Sequence, residues 1–193
     1  MNIVTAMRQR LSTFLFLSIM ALGLSSGAAA AAEEKIATAP DQDALEVSIA
    51  IPIGSSEGRG LSYSRLQFPV VITNRSEKPV RIFQERFSWG YDALSFEVTD
   101  PDGKLWKIEK GISAWTMNGP GYWILPPHEH LVIEVNLSDT KTWKPFPTVK
   151  DFPADITMRA VFETSPTKES KRLSVWTGRV VSKTEKYRLY DPR

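Results

Sequence analysis

Leu66-Gln67-Phe68-Pro69-Val70-Val71-Ile72-Thr73, then Asn74-Arg75-Ser76-Glu77-Lys78, then Pro79-Val80-Arg81-Ile82-Phe83, is the stretch that decides the fold class. Leu66, Phe68, Val70 and Ile72 occupy every second position, the period of a strand with one buried face. The polar Asn74–Lys78 segment reads as a turn, so the whole stretch predicts strand, turn, strand. The same alternation recurs on both sides. Upstream, Leu45, Val47, Ile49, Ile51 and Ile53 mark a first strand. Downstream, Leu94, Phe96 and Val98 mark another. Asp100-Pro101-Asp102-Gly103 is then a tight-turn signal, with Lys104 to Glu109 as its hairpin partner. Later strands are expected at Leu131–Leu137, Ile156–Phe162, Val175–Val181 and Tyr187–Leu189.

Eight or nine short strands with turn chemistry between them predict an all-β chain, an immunoglobulin-like antiparallel two-sheet sandwich over residues 44–193. Helical periodicity is almost absent, which argues against a parallel α/β sheet. A proline-bearing connection from Ser138 to Asp155 is longer than most loops, and is either functional or tolerated.

The N-terminus has a different character. Arg8 and Arg10 precede the apolar run Leu11–Leu24, and five alanines from Ala28 to Ala32 close it. A basic start, an apolar middle and a small-residue end predict a cleavable secretory signal over residues 1–32. The rival reading, a retained membrane anchor, would give a helix of only about 21 Å against roughly 30 Å of bilayer hydrocarbon, so cleavage is expected, leaving no transmembrane span. Residues 33–43, polar and alanine-rich, read as a flexible leader. The expected address is periplasmic or secreted by a Sec-type route. With no cysteine in the chain, a lipid-modified N-terminal cysteine, thiol catalysis and cysteine metal sites are excluded.

Arg8 and Arg10 are two of the 24 Lys and Arg, so residues 33–193 carry 22 basic and 22 acidic side chains. A neutral domain with interspersed charges has no global pull on nucleic acid. Stability must come from a core.

Few motifs suggest chemistry. Gly54-Ser55-Ser56-Glu57-Gly58 matches a serine-hydrolase pattern, but the loop-like Arg59-Gly60-Leu61-Ser62 follows where a helix is required. His128 and His130 form an H-x-H that would put both imidazoles on one strand face for zinc or copper, or else a turn into the next strand. Asn74-Arg75-Ser76 and Asn136-Leu137-Ser138 are glycosylation sequons. Trp115, Asn118, Tyr122 and Trp123 surround Gly119-Pro120-Gly121, an aromatic turn that either caps the sandwich or presents rings to a protein or a sugar. Trp89 and Trp176 read as core or cap. No catalytic residue and no cofactor is expected.

Val71-Ile72-Thr73-Asn74, then Ser76-Glu77-Lys78-Pro79-Val80-Arg81-Ile82, then Phe96-Glu97-Val98-Thr99-Asp100 with Gly103-Lys104, then Leu125-Pro126-Pro127-His128-Glu129, resemble bacterial immunoglobulin-like domains of the proteinase-inhibitor (BsuPI) type over residues 66–137. His128 stands where that family has a turn glycine. No reactive-loop motif matches, so no contact residue carries over. The ending Arg159-Ala160-Val161-Phe162-Glu163 with Val175-Trp176-Thr177-Gly178 resembles uncharacterised exported bacterial sandwich proteins. Three functions follow as expectations. The first is a non-catalytic envelope module recognising an unidentified protein partner, through loops or a sheet edge. The alternatives are a protease inhibitor, implied by the resemblance, and a carbohydrate-binding module using the aromatic turn.

Overall fold

The computed structural model describes residues 42–51, 59–115 and 119–191, all within the compact unit Ile36–Arg193. The signal segment, most of the leader, the Gly54–Gly58 motif and Asn118 lie outside the described residues.

The described residues are all-β in character, with 48% of them in strands and 9% in helix. The described strands form three hydrogen-bonded sheets. The first joins β1 (Leu45–Ile49), β3 (Gln67–Asn74) and β8 (His130–Asn136), with β3 central and both pairings antiparallel. The second is built around β9 (Ala154–Thr164), whose alternating burial reflects Ala154, Ile156, Met158, Ala160 and Phe162 facing inward. On one side of β9 lies β5 (Leu94–Thr99), followed by β6 (Leu105–Ile108). Along its other side run β10 (Gly178–Val181) and β11 (Glu185–Tyr190), and β2 (Arg59–Ser62) adds to β11 in parallel.

Between β10 and β11 the register slips by one residue, from Val181 opposite Val161 to Glu185 opposite Met158. Ser182 holds this bulge, its hydroxyl accepting from the Ala160 amide at 2.9 Å while its own amide donates to the Ala160 carbonyl at 2.9 Å.

The third sheet is the ribbon of β4 (Val80–Phe83) and β7 (Tyr122–Leu125). It continues the β3–β8 pair past a bend at Asn74. That side chain is fully buried and donates to the carbonyls of Lys78 (2.7 Å), Leu125 (3.0 Å) and Pro126 (2.9 Å).

The first two sheets share one core. Phe68 of β3 meets Phe96 of β5 edge-on at 5.5 Å, and Phe96 meets Trp143 at 5.5 Å. Trp176 is fully buried and stacks on Phe162, so it belongs to the core. The long connection after Ser138 also serves the core: Trp143 and Val149 are buried, and the Tyr63 hydroxyl donates to the Pro147 carbonyl. Asp100-Pro101-Asp102-Gly103 makes the expected turn, with Gly103 at φ 81° and Asp100 accepting from the amides of Asp102 and Lys104.

Two short helices interrupt the strands: α1 (Ser88–Tyr91) and α2 (Lys168–Leu173). The latter starts in a reciprocal cap, in which the Thr167 hydroxyl accepts from the Ser170 amide and Ser170 Oγ from the Thr167 amide. It ends at Ser174 in the left-handed region.

Candidate functional site

The aromatic turn is partly a strand. Tyr122-Trp123-Ile124-Leu125 is β7, so successive side chains point to opposite faces and Tyr122 and Trp123 are separated. Tyr122 lies on the face it shares with Arg81, whose guanidinium stands 5.0 Å from its ring centroid. Trp123 lies on the face of Leu125 and remains 45% exposed. Trp115 packs edge-on against Tyr91 at 5.3 Å, away from the strand pairing. Gly121, just before β7, sits so close to the Phe87 ring that a Cβ there would collide with it. The three rings therefore do not make one flat platform.

What surrounds Trp123 is an edge. Hydrogen bonding pairs β8 with β3 and β7 with β4, and no described strand covers the opposite side of either. Along that side runs an open groove of about 320 Å³ lined by Trp123, Ile124, Pro126, His130 and Leu131. A smaller recess of about 110 Å³ adjoins it, sharing Trp123 and Leu131 and reaching Val132, Leu94 and Phe162 at the margin of the core. Ile124 and Val132 are 55% and 54% exposed. An unpaired strand edge with exposed apolar side chains is a template for a further strand.

Other parts of the surface carry paired charges. On the outer face of the second sheet, Glu97 accepts from both Arg159 and Arg179, and Arg179 also reaches Glu163. Asp155 pairs with Lys186 and Arg188, and the Arg188 guanidinium, then the Lys186 ammonium, lower its carboxyl to about 2. Glu109 lies between Lys107 and Lys144, which lower its pKa in that order. Both lysines line a groove of about 670 Å³ that also contains Trp89, Lys110, Glu163 and Thr164. The Lys110 side chain is only 6% exposed, bonded to Glu85 at 3.1 Å and lying over the Tyr91 and Trp143 rings.

The two histidines have separate partners. His128 is in the turn before β8, at φ 61°, with Nε2 3.2 Å from Glu77. His130 opens β8 and its Nδ1 is 2.9 Å from Thr73 Oγ1. An H-x-H gives two ligands on one face only when both residues are extended, and His128 is not. Among the described residues no group of three or more His, Cys, Asp or Glu is placed to hold a metal ion. The Asn74 sequon is closed to a glycan in the folded chain, because its amide is buried and fully engaged.

Ile124, Leu131 and Val132 were not apparent as site residues in the sequence. The available signal was the unbroken apolar run Tyr122–Leu125 ahead of Pro126-Pro127, which marks a strand short of polar cover. Compared with known proteins, the chain matches no protein-family model and no curated protein.

Proposed function

We propose that this chain is an exported, non-catalytic recognition module of immunoglobulin-like architecture, and that it binds protein through the unpaired β7–β8 edge. One observation carries this reading. Three of the large hydrophobic residues left exposed, Trp123, Ile124 and Val132, lie along one strand edge that no described strand covers. Backbone groups on such an edge supply affinity for an extended segment, and side-chain recesses beside it supply selectivity. Trp123 is an anchoring residue of the type that dominates protein interfaces. The signal-like residues 1–32 support export to the periplasm or beyond, and the resemblance over residues 66–137 supports the immunoglobulin-like class.

A sugar platform needs coplanar rings on one surface, and the alternation of Tyr122 and Trp123 leaves Trp123 the one aromatic ring on its face of β7. Protein is therefore the favoured ligand class.

The test is a pull-down from envelope extract with tagged wild-type protein and with Trp123→Ala and Ile124→Lys variants, each shown to melt as the wild type does. Enrichment of a protein by the wild type and its loss in both variants supports the reading. Equal capture by all three would overturn it.

A further inference from the structure

We infer that the β8 edge pairs with the same edge of a second copy of this chain, antiparallel, with Val132 on the twofold axis. This rests on the reading of the β7–β8 edge as a recognition surface and names its partner. The backbone phase comes first. Leu137 donates to the Leu66 carbonyl at 2.9 Å, and Asn74 donates to the Glu129 carbonyl at 3.0 Å. Odd-numbered residues of β8 therefore turn their backbone groups toward β3, and His130, Val132 and Glu134 turn theirs to the open side. No described hydrogen bond meets those groups.

Centring an antiparallel pair on Val132 sets Val132 opposite the second copy's Val132 and His130 opposite its Glu134. All three positions are then hydrogen-bonded pairs, in phase with the ladder. The side chains agree with the backbone. Val132, 54% exposed, finds an apolar mate. Glu134 makes no ion pair or side-chain hydrogen bond among the described residues. His130 Nδ1 is engaged by Thr73 Oγ1, and when that hydroxyl donates, the ring proton is on Nε2, free to donate to a carboxylate. On the inner face, half-buried Leu131 meets the second copy's Ile133.

Neighbouring registers are worse. Centring on Glu134 opposes two carboxylates, centring on His130 opposes two imidazoles, and centring on Leu131 or Ile133 sets Val132 against His130 or Glu134. A symmetric His-Val-Glu spacing is self-complementary in one register only, as an isologous interface requires. The pairing joins two three-stranded sheets into one continuous sheet.

Sedimentation velocity of the purified protein over a concentration series tests this, with near-UV circular dichroism to confirm folding. The wild type should be a dimer. Val132→Lys, His130→Glu and Glu134→Lys should each weaken association by about tenfold or more: the first sets two lysines against each other on the axis, and the other two each put like charges or a mismatch across the strands twice per dimer. The double variant His130→Glu/Glu134→Lys should recover dimerisation, and mixing the two single variants should give a heterodimer. A wild type that stays monomeric at several hundred micromolar, or a dimer unaffected by Val132→Lys, would overturn the self-pairing. A monomer that still captures another protein in a Trp123-dependent way would leave the recognition reading standing. A dimer that follows the charge pattern but captures nothing else supports the self-pairing as the use of this edge.

Discussion

Asn74 and Leu125, fifty-one positions apart in sequence, are joined by a 3.0 Å hydrogen bond from Asn74 Nδ2 to the Leu125 carbonyl. The bond sits where the β3–β8 pair gives way to the β4–β7 ribbon, and the same amide also holds Lys78 and Pro126. Ser76 completes the cluster by donating from its amide and its hydroxyl to Asn74 Oδ1. The bend keeps β7 in line with β8, so that Trp123 and Val132 lie along one edge.

Replacing Asn74 by alanine leaves the buried Leu125 carbonyl and the Pro126 carbonyl without this donor, and should lower stability by about 2–3 kcal/mol in urea unfolding. Asn136→Ala, on the exposed second sequon, should stay within about 0.5 kcal/mol of wild type. Equal effects would mean that Asn74 does not hold the bend.

Trp176 and Trp123 should separate in the same assay. Trp176→Ala removes a fully buried ring stacked on Phe162 and should cost about 3–5 kcal/mol. Trp123→Ala should leave the thermal midpoint close to that of wild type while reducing capture of partner. A collapse in stability on Trp123→Ala would assign that ring to the core.

Asp155 gives a pH signature. Arg188 and then Lys186 hold its carboxyl at about 2, below the ordinary 3.8. A depressed carboxyl stabilises the fold fully above the ordinary value and loses that contribution as pH falls toward 2. Asp155→Asn should therefore be less stable than wild type at neutral pH, and the gap should narrow as pH falls from about 4 through 2, measured by thermal unfolding across that range. A gap that does not narrow with acid would contradict the pairing of β9 with β11 through this carboxylate.

Ser174, at the end of α2, has φ 52° and ψ 41°. Glycine takes this conformation without strain, so Ser174→Gly should raise stability by up to about 1 kcal/mol in denaturant unfolding. A loss of stability would show that the Ser174 side chain matters more than its backbone.

The strands on which alternation was strongest were legible in the sequence: β3 with β4, and β5 with β6 across the Asp100–Gly103 turn. Among the elements that were not, three show why. Tyr122–Leu125 is apolar at every position, because β7 is at an edge with little polar cover, and so it shows no period of two. Arg59–Ser62 buries only Leu61 and is held by parallel pairing with β11, which local sequence cannot reveal. The six residues of α2 are mostly polar and owe their helix to caps rather than to an apolar stripe. The candidate site was legible in the same limited way. Composition singled out Trp115, Tyr122, Trp123 and His130, but the faces of Tyr122 and Trp123 depend on β7 being a strand, and the open edge beside them depends on which strands pair elsewhere.

Site-specific photo-cross-linking in the producing cell tests the central claim most directly. A photoreactive residue would replace Val132 in one variant, Ile124 in a second, and Lys186 on the outer face of the second sheet in a third. The account predicts discrete protein adducts from positions 132 and 124, a second copy of the chain among them at 132, and none from position 186. Adducts from 186 with none from 132 or 124 would contradict it, and would move recognition to the charged face.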